Sequence, residues 1–128
     1  MKRRKSFVIA LDFDGTTVTD MYPNIGIDVY SSPVLKEIVN NGHRIVLNTM
    51  RSGKELQDAV NWFQERSIPL YGINNNPTQH EWTDSSKVHA DTYIDDRGLG
   101  TPLLTIDPYG TFVDWGEVKV MLKKIGVI

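Results

Sequence analysis

Two pairs of aspartates are the residues best placed to do chemistry. Asp12 and Asp14 stand two apart and run directly into Gly15-Thr16, while Asp95 and Asp96 stand side by side late in the chain. Each pair directly follows an apolar run, Phe7-Val8-Ile9-Ala10-Leu11 in the first case and Thr92-Tyr93-Ile94 in the second. One such pair alone reads as a turn or a helix cap, a frequent use of Asp and Asp-Gly. Two pairs reaching the same edge of a parallel sheet would put four carboxylates in one small volume, where like charges repel unless a cation sits among them. Hard oxygen donors with no cysteine and no clustered histidine point to Mg²⁺, which takes one or two protein carboxylates and fills its shell with water and phosphate oxygens. A calcium loop does not fit, because Gly15 falls at the fourth position from Asp12 and that loop needs its glycine at the sixth.

Such carboxylates must be carried to one edge by the elements that precede them. Residues 7–11 are continuously apolar, which marks a strand buried on both faces rather than an alternating surface strand. Arg44 to Asn48 and Thr92 to Ile94 read the same way, with Ile68–Ile73 and Leu103–Ile106 as further candidates. Helical patterns lie between them. Val34, Leu35, Ile38 and Val39 follow the start signal Ser31-Ser32-Pro33 and precede the stop Asn41-Gly42. Leu56, Ala59, Val60 and Phe63 predict a second helix entered through Ser52-Gly53, and Val118, Met121, Leu122 and Ile125 a third. Strands alternating with helices predict an α/β fold, a parallel sheet with right-handed crossovers and helices on both faces. Residues 15–31 and 74–86 stand outside this alternation and are long enough to be functional loops at the carboxyl ends of strands.

The chain has 128 residues and no cysteine, which fits one domain, residues 1–128, and excludes disulfides, thiolate metal sites and a cysteine nucleophile. That composition suits a reducing, cytoplasmic setting. The net charge is -2, but four of the 14 basic residues are Lys2, Arg3, Arg4 and Lys5. The remaining ten bases against 16 acids give residues 6–128 a net of -6, a poor surface for a long polynucleotide. The tetrad reads as a solvated lead-in to the first strand. Asp12 ends the apolar run that follows it after five residues, too short for a signal peptide core or a membrane span.

With these residues in place, FVIALDFDGT at 7–16 resembles the first motif of the haloacid dehalogenase superfamily of phosphohydrolases. Thr49-Met50-Arg51 looks like the second motif, Lys87 is the candidate for the third, and Asp95-Asp96 matches the fourth. The resemblance implies a three-layer Rossmann-like domain whose five parallel strands run in the order 3-2-1-4-5. It also implies a Mg²⁺-dependent phosphatase. Asp12 would be the nucleophile that forms an aspartyl-phosphate and Asp14 the general acid and base. Mg²⁺ would be held by Asp12, the backbone carbonyl of Asp14 and Asp95, with Asp96 assisting. Thr49 and Lys87 would stabilise the phosphoryl group, and Thr49, Met50, Arg51 and Lys87 would contact substrate. Arg51 and Arg97 could each touch substrate or pair with the acidic cluster. His80, Trp82 and His89 could wall the site or simply pack.

Members of that superfamily usually carry a cap domain, inserted after the first motif or before the third. Here 34 residues separate Asp14 from Thr49 and 37 separate Thr49 from Lys87, room for connecting elements only. The chain thus resembles a capless member with an open site. Its substrate would be either a macromolecular end that covers the site or a small phosphorylated molecule enclosed by a second subunit. A phospho-acceptor module of the receiver type, and a binding protein that keeps the fold without catalysis, are the competing functions.

Overall fold

The computed structural model describes residues 6–128; the basic tetrad Lys2 to Lys5 lies outside the described residues. Strand β1 spans Val8–Leu11, β2 Arg44–Leu47, β3 Gly72–Ile73 and β4 Thr92–Ile94, all parallel in the order β3-β2-β1-β4. Helix α1 (Ser31–Asn40) joins β1 to β2, and α2 (Gly53–Glu65) joins β2 to β3. A hairpin of β5 (Leu103–Ile106) and β6 (Gly110–Val113) follows β4 and leads into α3 (Trp115–Lys124). The first four places of the predicted strand order are therefore observed, within an α/β architecture.

Register carries the acidic pairs to one level. Leu11 lies opposite Leu47 on one side and Ile94 on the other, so β1, β2 and β4 end together. The pairing continues one residue further, where the Asp12 N–H donates to the Ile94 carbonyl at 3.0 Å and the Asn48 N–H to Leu11 at 2.7 Å. Asp12, Thr49 and Asp95 thus step off three adjacent strands at one edge of the sheet.

All three helices pack into one core. Ile9, Leu11, Ile45, Leu47 and Ile94 face Leu35 and Ile38 of α1, Ala59 and Phe63 of α2, and Val118 and Leu122 of α3. Phe13, just past β1, is fully buried and meets the rings of Trp62 and Phe63 at 6.0 and 5.9 Å. Alternate strand residues such as Ala10, Val46 and Tyr93 belong to the opposite face and lie outside that core. Residues 74–91 connect β3 to β4 without an α-helix, and they contact this second face: the Tyr93 hydroxyl donates to the Val88 carbonyl at 2.7 Å. The expected helices on both faces are corrected accordingly, with a loop standing where the third layer was predicted.

The predicted fifth strand is also corrected. Leu103–Ile106 pairs antiparallel with Gly110–Val113 and is not part of the parallel sheet. A parallel partner for β4 would need a crossover of about a dozen residues or more, and only Asp95 to Pro102 intervene. The turn Asp107-Pro108-Tyr109-Gly110, with Gly110 at φ 77, lets the segment pair locally instead. The predicted strand Ile68–Ile73 shrinks to Gly72–Ile73, consistent with Pro69, which offers no N–H to a ladder. In α3 the buried residues are Trp115, Val118 and Leu122, whereas Met121 and Ile125 are about half exposed. Among the described residues no helix is long and apolar enough to cross a membrane.

Candidate metal centre and its cleft

Asp12, Asp95 and Asp96 each offer an oxygen within 4.8 Å of the others. Two features of the loop after β1 hold this trio. Gly15 has φ 78, and a Cβ at that position would lie 2.5 Å from the Asp96 Oδ2, so only glycine permits both the turn and the close approach. Thr16 is fully buried; its hydroxyl donates to Asp12 Oδ2 at 2.8 Å and accepts the Asp96 N–H at 2.9 Å. The Thr16 carbonyl accepts the Trp115 indole N–H at 2.7 Å, and the Gly15 carbonyl accepts the Val113 N–H at 3.1 Å. The hairpin and α3 therefore brace the back of the site rather than extend the sheet.

Electrostatics in the trio favour added positive charge. Burial first, and then the charges of Asp95 and Asp96 with a hydrogen bond from Asp96, push Asp12 up to about 7 against the lowering effect of Thr16. Burial likewise raises Asp96, with Asp95 adding to it. Clustered carboxylate oxygens, partly buried and without sulfur or imidazole among them, fit a hard divalent cation.

Asp14 is directed elsewhere. Its carboxylate takes two hydrogen bonds from Arg51, Nε to Oδ2 at 2.8 Å and Nη2 to Oδ1 at 2.7 Å, with the arginine side chain 1% exposed. Arg51 spends its remaining donors on main-chain carbonyls: Nη1 on Pro23 at 3.2 Å and Glu55 at 3.1 Å, and Nη2 on Asn24 at 2.7 Å. All five N–H groups are thus engaged. The guanidinium lies 5.1 Å from the Phe13 ring centroid and 5.2 Å from that of Tyr22, and the Asp14 hydrogen bond raises its pKa further. Expected as a substrate contact or an ion-pair partner, Arg51 is the second: it has no donor left for a ligand.

Asp12, Asp14, Thr49, Met50, Asp95 and Asp96 line one open cleft of about 370 Å³, joined by Asp20, Tyr22, Arg51 and Arg97. Thr49 is positioned by its N–H, which donates to Asn74 Oδ1 at 2.7 Å. Arg97 is exposed and, among the described residues, its guanidinium forms no ion pair. Lys87 is not brought to the cleft. Its ammonium lies 5.4 Å from the centroid of the Tyr93 ring, and Lys87 is not among the residues that line the cleft. His80, Trp82 and His89 are likewise absent from the cleft lining; Trp82 packs edge-on against His89 at 5.2 Å. Thr16, Asp20 and Tyr22 are the site residues that sequence reasoning passed over. Thr16 was visible as the last residue of the Asp-x-Asp-Gly-Thr run, but the other two lie in a loop with no pattern of its own.

No family model and no curated protein matches the chain. Among solved structures it is similar to a conserved protein coded by a locus of Bacteroides thetaiotaomicron, with a TM-score of 0.77 and 34% sequence identity over 94% of this chain and 93% of that one. Identity at that level, sustained over nearly the whole of both chains with the same fold, means that this chain belongs to one family with that conserved Bacteroides protein.

Proposed function

We propose that the chain is a Mg²⁺-dependent phosphomonoester hydrolase that works through an aspartyl-phosphate on Asp12. The observation that carries the reading is the convergence of Asp12 with Asp95 and Asp96, oxygens within 4.8 Å, at the carboxyl edge of a parallel sheet. Asp12, Asp95 and Asp96, with the Asp14 backbone carbonyl, would hold the cation. Bound there, Mg²⁺ supplies positive charge against the anionic cluster and the phosphate.

In the first half-reaction an Asp12 carboxylate oxygen attacks phosphorus, the bond from phosphorus to the leaving oxygen breaks, and Asp14 gives that oxygen its proton. In the second, water attacks the same phosphorus, Asp14 takes the water proton, and the bond to Asp12 breaks with its electron pair returning to the carboxylate. Arg51 uses one lone pair on each Asp14 oxygen, leaving the others for this exchange. It is a positioning residue for Asp14 and does not contact substrate. Thr49 and Arg97 are the neutral and cationic donors at the cleft for phosphate oxygens.

The experiment is hydrolysis of p-nitrophenyl phosphate with and without Mg²⁺ by wild type, Asp12→Asn and Asp14→Asn. Wild type turns over only with the metal, and each variant loses at least about 100-fold. Equal rates for wild type and Asp12→Asn would remove the mechanism. A stable acyl phosphate in place of turnover would favour a phospho-acceptor module.

A further inference from the structure

The walls of the cleft are charged, but its rim is not. Tyr22 is 59% exposed and Met50 98% exposed, and both line the same cleft as Asp12 and Thr49. Single exposed apolar residues are ordinary on a protein surface. Tyr22 differs because its ring is held in place. One face lies 5.2 Å from the Arg51 guanidinium, itself fixed by five hydrogen bonds and backed by Phe13. The same guanidinium binds the carbonyls of Pro23 and Asn24, the two residues after Tyr22, so backbone and ring are anchored to one buried group. The Tyr22 N–H adds a contact to Asp20 Oδ1 at 3.3 Å. The exposed remainder of the ring is therefore a rigid aromatic surface beside the acidic trio, with an adaptable thioether on the same rim.

We propose that this rim selects the leaving group: Tyr22 stacks a planar aryl or heteroaryl ring whose attached phosphate sits at Asp12, and Met50 packs against the same ring. The proposal rests on the phosphatase reading and names its substrate class. Stacking on a fixed tyrosine needs little ordering of the protein, and methionine sulfur makes favourable contacts with aromatic rings. Arg97, the cation at the cleft without an ion pair among the described residues, is available to the phosphate oxygens. A cleft of about 370 Å³ suits one small phosphorylated molecule rather than an extended chain.

Phenylphosphonate and methylphosphonate differ by the ring alone and are not hydrolysed. Their affinities for the full chain in the presence of Mg²⁺, measured by titration calorimetry, test the proposal. Wild type binds phenylphosphonate about 10-fold more tightly. Tyr22→Phe keeps that ratio, Met50→Ala lowers it by about 2-fold to 3-fold, and Tyr22→Ala brings it to about 1. In wild type, the NMR ring resonances of Tyr22 shift with phenylphosphonate and not with methylphosphonate, a readout that needs no variant. Equal affinity for the two ligands, binding of neither, or a ratio that survives in folded Tyr22→Ala overturns the proposal. Turnover of acetyl phosphate that depends on Asp12 reads the hydrolase function separately. Ring preference without turnover defeats the hydrolase and leaves the aromatic subsite standing, and turnover without ring preference does the reverse.

Discussion

Residues 15–31 and 74–91 both leave the carboxyl edge of the sheet, and residues 15–31 and 74–86 were each long enough to be read as functional loops. The first is tied to the acidic cleft from outside itself. Arg51, carried by the turn between β2 and α2, reaches across to Pro23 and Asn24 while gripping Asp14. The second meets the cleft at its first residue, where Asn74 Oδ1 accepts the Thr49 N–H at 2.7 Å, and past that point is closed by its own side chains. Gln79, 8% exposed, donates to the carbonyls of Ser85 and Lys87 and accepts the His89 N–H, while Asn76 donates to the His89 carbonyl. The lesson is that length marks neither loop as functional. What separates them is whether the buried donors that satisfy the loop also hold a group in the cleft.

The strongest way to break this contrast is Arg51→Ala. It leaves Asp14 and three carbonyls without donors, and breaking a buried pair of this kind costs about 3–5 kcal/mol. Urea unfolding should show that loss together with a collapse of hydrolysis, and Arg51→Lys should restore little, since three donors on a point charge cannot serve five sites. A cost below about 1 kcal/mol would mean that the first loop is held by something else.

Acidity comes next, because Gly15 and Thr16 of the first loop hold Asp12 and Asp96 together. Asp12 is raised from 3.8 to about 7, so the folded cluster retains a proton that the unfolded chain has released. Without metal, stability is therefore lost as pH rises from about 4 to about 7. Mg²⁺ needs the ionised form, and at 100 times its dissociation constant it adds about 2.7 kcal/mol. The rise in thermal midpoint with Mg²⁺ should be larger at about pH 8 than at about pH 5, and an equal rise at both would argue against binding at this trio.

Gln79→Ala probes the other loop. Three hydrogen bonds are lost, two of them leaving carbonyls to find water, for about 1–3 kcal/mol of stability. Turnover should stay within about 2-fold of wild type. Smallest of all is Lys87→Ala, also expected within about 2-fold, since its ammonium sits over Tyr93 and the residue is not among those lining the cleft. A fall of about 100-fold would return residues 74–91 to the site.

The acidic pairs were legible because each ends an apolar strand, whereas strand order 3-2-1-4 came only from the family resemblance. Thr49 was legible on the same ground. The role of Arg51 was not, because its partners beyond Asp14 are main-chain carbonyls, which any residue can supply. Lys87 was assigned to the site through the resemblance alone, and its segment is held by Gln79 and Asn76. Leu103–Ile106 reads as a strand and is one, but the turn at Asp107-Pro108-Tyr109-Gly110 decides its partner, and that turn was overlooked beside the apolar residues.

Covering one face of the sheet with three helices and the other with a loop makes the molecule mechanically lopsided. Helices packed in a shared core open only with the whole fold, whereas residues 74–91 are held by a few polar contacts and can open alone. The first breach under stress is thus expected behind the sheet, at Ala10 and Val46, while the first loop keeps its anchor at Arg51. Amide exchange and proteolysis should accordingly register this rear door well before the acidic edge loosens. The protein can then tolerate local unfolding on the face of the sheet away from the helical core.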